Sequence, residues 1–326
     1  MATSPLAAPS AVRTYLNHHL DSRHWQRYRP RPGDVVVTTS YKSGTTWMQY
    51  ILLNLIFPDE RARPSTVEVS PWLDERTLDL ETALATLDRQ THRRVLKSHL
   101  PVDGLVLHPE VRYVVVARDA RDVFMSLWNH YRHLSPAALR SLRGATSTTE
   151  AQTFPEAPSD PGSFWRSWIT SGWFDWERDG YPFWSNLRHT ASWWAERHRP
   201  NVLLVHFADL LSAPHEQILR VADHVGIAID ARRARAIADA TSFDRMKARA
   251  HTFLENDGAS FVGGADTFIH RGTNGRWRDV LTAADLELWR EATERELPPD
   301  AARWLEGGSR ALDGERDDRR TSEAVA

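Results

Sequence analysis

Residues Asp34–Ile56, DVVVTTSYKSGTTWMQYILLNLI, constrain the fold of this chain more than any other stretch. Val35, Val36 and Val37 form a β-branched run of the kind that becomes a buried strand. Ser40–Thr46 interrupts it with small, polar and cationic residues. Trp47, Met48, Ile51, Leu52, Leu55 and Ile56 then recur at helical spacing, so the segment predicts strand, loop and helix in succession. Such a loop presents free backbone N–H groups at a helix N-terminus, where the dipole favours an anion. Lys42 adds a full charge, Gly44 lets the backbone come close, and Thr45 and Thr46 add hydroxyls. The expected ligand is a phosphate or sulfate. The loop is not a nucleotide P-loop, whose glycine stands immediately before its lysine. Here Lys42 comes first, and Thr39 stands where the leading glycine would be.

The remaining chain repeats the strand-then-helix rhythm. Arg94–Pro101, RVLKSHLP, reads as a short strand running into a loop, and a persisting strand would point Lys97 and His99 to one side. Arg112–Arg118, RYVVVAR, is a second strong strand; Asp119 caps a helix carrying Val123, Leu127 and Tyr131. Arg118 thus sits at a strand's carboxyl end, with Ser126 two turns into the next helix, where ligands of parallel sheets bind. Asn201–Phe207 is another strand, followed by helices over Pro214–Val225 and Ala231–Ala240. Leu78–Leu87 reads as an amphipathic helix, and Ser65–Asp74 as a loop whose Pro71-Trp72 either faces a ligand or plugs a core edge, the plug being favoured. The pattern predicts an α/β fold, a single domain with a central parallel β-sheet flanked by helices.

Between about residues 134 and 200 the pattern weakens into a loop-like, Trp-rich insertion. It holds Trp165, Trp168, Trp173, Trp176, Trp184, Trp193 and Trp194, half of the chain's 14 tryptophans. An acceptor pocket and a satellite core are equally open readings. The domain is expected over 13–306, with disordered tails at 1–12 and 307–326. A formal net charge of −2 gives no reason to expect nucleic-acid binding, so any cationic site must be local. With no cysteine, disulfides and thiolate metal sites are excluded. No apolar run reaches a membrane span and no secretory signal is evident, so a cytoplasmic location is expected.

In combination these motifs resemble the PAPS-dependent cytosolic-type sulfotransferases, PAPS being 3′-phosphoadenosine 5′-phosphosulfate. Thr39–Trp47, TSYKSGTTW, resembles the family's 5′-phosphosulfate loop. Arg118 and Ser126, within ARDARDVFMS, resemble its 3′-phosphate strand–helix motif, and Gly272–Arg278, GTNGRWR, its C-terminal Gly-x-x-Gly-x-x-Lys loop. Lys97–Pro101 is similar to the segment holding the catalytic His, and Thr241-Ser242-Phe243 to one that contacts adenine. The motifs run in family order from about residue 25 to 290. The stretches SPWLD and DGLVL are most similar to bacterial glycolipid sulfotransferases.

The resemblance implies PAPS as co-substrate, no metal, and a hydroxyl acceptor on a small molecule or glycolipid. It implies that Lys42 neutralises the bridging oxygen as PAP (adenosine 3′,5′-bisphosphate) leaves, while Ser43, Gly44, Thr45 and Thr46 hold the 5′-phosphosulfate. Trp47 and Phe243 would sandwich adenine, with Thr241 at its polar edge. Arg118, Ser126, Arg271 and the Gly272 backbone would bind the 3′-phosphate. His99 would take the acceptor's proton while Lys97 steadies the sulfuryl group. The chain departs from the family pattern at Tyr41 (usually Pro), Phe207 (Tyr), His270 (Arg), Arg278 (Lys) and Arg276 (often acidic). The first three put cofactor affinity in question. A P-loop kinase or NTPase and a catalytically silent PAP-binding relative are the alternatives.

Overall fold

The computed structural model describes residues 11–146, 153–254 and 258–312. At its centre are four parallel strands: β1 (Val35–Thr39), β2 (Val95–Ser98), β3 (Arg112–Ala117) and β4 (Val202–His206), in the spatial order β2-β1-β3-β4. Val36 pairs with Leu96 on one side and Tyr113 on the other, and Val115 pairs with Leu204. The β-branched run therefore became the central strand, wholly buried because both faces of the sheet are covered.

Alternation along the strands divides the core in two. Val35, Val37, Val95, Val114, Val116 and Val205 face helices α1 (Thr45–Ile56), α9 (Pro214–His224) and α10 (Ala231–Ala240). Val36, Leu96, Tyr113 and Val115 face the larger core, which takes in α3 (Leu80–Arg89), α4 (Ala120–Arg132), α6 (Pro161–Thr170), α7 (Asn186–Ala195), α13 (Ala283–Glu296) and α14 (Pro299–Gly307). Shorter helices complete the chain: α2 (Thr66–Val69), α5 (Pro136–Thr146), α8 (Phe207–Ser212), α11 (Phe243–Ala248) and α12 (Ala265–Phe268). Among the described residues no helix is long and apolar enough to cross a membrane.

Three expectations are corrected. The Trp-rich stretch is not loop-like, since α5, α6 and α7 occupy much of it. α6 starts from Asp160, whose side chain accepts the Ser163 N–H, with Pro161 in the first turn. Phe164, Trp165, Trp168 and Ile169 then make one buried helix face, so Trp165, Trp168 and Trp193 belong to the main core and do not line the cleft described below. Ser65–Asp74 contains α2, held by a capping box between Ser65 and Glu68. Gly307 closes α14 rather than opening a tail, because Ser309 bonds Asp209 and Leu312 packs against the main core. Of the expected tails, residues 1–10 and 313–326 lie outside the described residues.

Candidate active site

A cleft of about 380 Å³ opens at the carboxyl ends of the strands. Lys42, Gly44, Thr45, Thr46 and Trp47 line it from the β1–α1 turn, Lys97 and His99 from the end of β2, and Arg118 and Ser126 from β3 and α4. Thr241 and Phe243 enter between α10 and α11, and Arg271 and Gly272 after α12. Ser43 is the exception among the expected site side chains. It is fully buried, its hydroxyl 2.7 Å from Ser40 Oγ, which itself accepts from Asn186 Nδ2. Its side chain braces the loop instead of facing the cleft.

The loop conformation follows from its residues. Lys42 has φ 64° and Gly44 φ 112°. A side chain at Gly44 would also put its Cβ 3.0 Å from the Phe207 ring. Thr39 Oγ1 lies 2.7 Å from Thr45 Oγ1, tying the strand end to the helix start. Gly272, at φ 64°, leaves no room either: a Cβ there would lie 2.3 Å from the Phe243 ring. The 272–278 loop is clamped onto α4. Asp122 accepts the Gly275 N–H at 2.7 Å, and Arg121 is sandwiched between Trp277 (4.1 Å) and Trp289 (3.9 Å).

His99 is 1% exposed and tightly oriented. Its backbone N–H donates to the buried Asp74, and its Nδ1 lies 2.8 Å from the Thr39 carbonyl oxygen. A carbonyl only accepts, so Nδ1 carries the proton and Nε2 keeps a lone pair. Nε2 is buried without a partner. Burial first, and then Lys97, holds the ring well below the usual histidine range, so it is neutral. β2 ends at Ser98, yet Lys97 and His99 still face one cleft.

Three cations surround this histidine, and each leans on neutral groups. Lys42 Nζ lies 4.4 Å from the Phe268 ring centre and 3.4 Å from His130 Nδ1. Lys97 lies over Trp72 at 4.1 Å. Arg118 stacks on Phe207 at 4.1 Å and donates to Thr273 O and Asn274 Oδ1. Burial, then repulsion from Lys97 and Arg118, pushes Lys42 down to about 7; burial brings Arg118 to about 10. Such strain on positive charge is relieved by an anion.

A model of the sulfotransferase domain matches residues 32–300. The chain belongs to the sulfotransferase family. It is 32% identical over 308 residues to a glycolipid sulfotransferase of Mycobacterium bovis, covering 90% of this chain and 94% of the relative. Two solved structures share its fold. Mouse sulfotransferase SULT7A1 complexed with PAP gives a TM-score of 0.63 at 17% identity, covering 87% of this chain and 92% of that one. Retinol dehydratase in a complex with retinol and PAP gives 0.65 at 22% identity, covering 85% of each.

Further residues border the site of this sulfotransferase. Trp72 meets the His99 ring edge to face at 4.9 Å, so it borders the site instead of merely plugging a core edge; Trp184 lies 5.5 Å away. Asp74 anchors His99 while accepting from the Trp25 and Trp72 indoles. Arg276 lines the cleft, its Nε buried and unpartnered, 3.4 Å from His270 through Nη1. His130 follows Ser126 by four residues as Ser126 follows Asp122, putting all three on one face of α4. That spacing was the available signal for His130. Trp72 and Trp184 had none, since long-range packing alone brings them to His99. Thr241 donates its hydroxyl proton to Ile237 O, so towards the cleft it offers only an acceptor.

Proposed function

We propose that this sulfotransferase transfers a sulfuryl group from PAPS to a hydroxyl of a glycolipid, with His99 as general base. The observation that carries the reading is the partnerless lone pair of His99 Nε2, beside Lys42, Lys97 and Arg118 in a single cleft. The residues present fit a nucleotide charged at both ends. Lys42 and the turn around Gly44 form one cationic end; Arg118, Arg271 and Arg276 form the other. Trp47 and Phe243 offer aromatic faces between them, and the acceptor-only Thr241 hydroxyl suits the adenine amino group.

PAPS supplies an activated sulfuryl group bonded to a good leaving group. His99 Nε2 takes the acceptor's proton, and the imidazolium is stabilised by its Nδ1–H bond to Thr39 O. Lys42 donates to the oxygen on which leaving-group charge builds, and Lys97 to the sulfuryl oxygens. The anion's arrival offsets Lys97, which together with burial depresses His99, raising its basicity when the nucleotide is in place. Trp72 and Trp184 pack against the His99 ring and help keep water from it.

The relative of Mycobacterium bovis, named a glycolipid sulfotransferase, supports a lipid-linked sugar as acceptor. The test is transfer of labelled sulfate from PAPS to glycolipids, phenols and simple alcohols. A labelled glycolipid product is expected. Tight PAP binding with no labelled product from any acceptor would instead identify a silent nucleotide binder.

A further inference from the structure

Tyr41 and His130 are joined to one another at the edge of the cleft. The Tyr41 hydroxyl lies 2.8 Å from His130 Nε2, and the rings meet edge to face at 5.0 Å. The imidazole is 5% exposed and packed on its far side against Phe261 at 4.8 Å, so it has little freedom to turn. Its Nδ1 faces Lys42 Nζ at 3.4 Å. A neutral imidazole has one N–H and one lone pair, whereas an ammonium only donates. The arrangement that satisfies every group places the proton on Nε2, pointing at the Tyr41 oxygen, and the lone pair on Nδ1, pointing at Lys42. The ring faces of Phe268, at 4.4 Å, and Tyr41, at 6.0 Å, also lie beside Lys42.

We propose that His130, held in one tautomer by Tyr41, is a positioning residue for Lys42, keeping its ammonium charged and aimed into the cleft before a nucleotide arrives. The proposal rests on the reading of the cleft as a PAPS site. It gives a purpose to Tyr41, which stands where the family resemblance expects a proline: proline has no hydroxyl to hold an imidazole. Lys42 is also the one non-glycine with positive φ among the described residues, and such a backbone persists when its surroundings fix it. The titratable groups facing His130 are Lys42, His19, Lys97 and His99; those facing Lys42 include Lys97 and Arg118, and Glu75 acts on Tyr41. Against that excess of positive charge, the Nδ1 lone pair is the acceptor that favours charged Lys42.

PAP binding by calorimetric titration across neutral to alkaline pH provides the test, without turnover. Binding by the native chain should weaken as pH rises past about 7, where Lys42 gives up its proton. In His130→Leu the weakening should begin about one pH unit lower, with PAP binding roughly fivefold weaker at neutral pH and approaching tenfold weaker above it. His130→Gln, whose carbonyl oxygen accepts, should restore the native profile. Tyr41→Phe should shift it in the same direction by less, and adding Tyr41→Phe to His130→Leu should shift it no further. The phosphate's own second ionisation, near pH 6, is common to all variants and cancels in the comparison. A native profile in His130→Leu, or full additivity of the two changes, overturns the positioning role. A general loss of folding moves melting temperature and binding at every pH together, and Gln would not repair it. A native chain that binds no PAP at any pH overturns the assignment of the cleft, and the role of His130 with it.

Discussion

The two ends of the sheet treat charge in opposite ways. At the amino end, just before β1 and β2 begin, Asp34 and Arg94 are each 2% exposed and closed on one another. Arg94 Nε donates to Asp34 Oδ1 at 2.8 Å, Arg94 Nη2 also reaches Arg29 O, and the Tyr28 hydroxyl donates to Asp34. At the carboxyl end, Lys42, Lys97 and Arg118 rest on rings, a histidine and an amide oxygen. The strands thus start on a closed ion pair and finish on cations that make no direct ion pair, Lys97 and Arg118 feeling carboxylates only at a distance and Lys42 feeling other cations. A buried charge that already has its counter-ion is architecture, whereas one without it indicates the missing partner's sign.

Mutations should separate the two ends. The largest expected effect is at the carboxyl end: His99→Ala should lower turnover by roughly 10²- to 10⁴-fold with PAP affinity little changed. Full activity in that variant would remove the general base. Next is Asp34→Ala, which strands the Arg94 charge and should cost about 3–5 kcal/mol in urea unfolding, leaving PAP affinity of the folded fraction unchanged. Arg118→Ala should weaken PAP by about 1.5–3 kcal/mol but hardly affect the analogue lacking the 3′-phosphate. Equal losses for both nucleotides would refute its pairing with that phosphate.

The smallest effect is also the most diagnostic. Lys42 titrates at about 7 in the fold against 10.5 as its ordinary value. Between those values the unfolded chain binds a proton that the folded chain rejects, so stability without nucleotide rises with pH through that window. Lys42→Met should flatten that rise and melt a few degrees higher at neutral pH, while losing the stabilisation PAP gives the native chain. A melting temperature insensitive to the substitution would mean that Lys42 is already neutralised by a partner.

The strands were legible because Val35–Val37, Arg112–Arg118 and Asn201–Phe207 are valine-containing apolar runs too short and too apolar for surface helices. The anion loop was legible because lysine, glycine and two threonines between a strand and a helix leave few alternatives. The aromatic insertion was misread because α6 shows only one apolar stripe per turn, and its tryptophans are as hydrophobic in a core as in a pocket. Trp72 was left with two readings and His130 was missed for another reason. Each gains meaning from a partner far along the chain, Trp72 from His99 and His130 from Lys42, and no local window contains both members of either pair.

Gly272 meeting Phe243 has a consequence for the evolution of nucleotide choice. On the proposed reading, the segment that would hold the sugar's outer phosphate and the ring that would flank the base are in direct mechanical contact, so neither could be redesigned alone. A descendant adopting a different nucleotide would have to alter both together, which favours families that change their acceptors while retaining their donor.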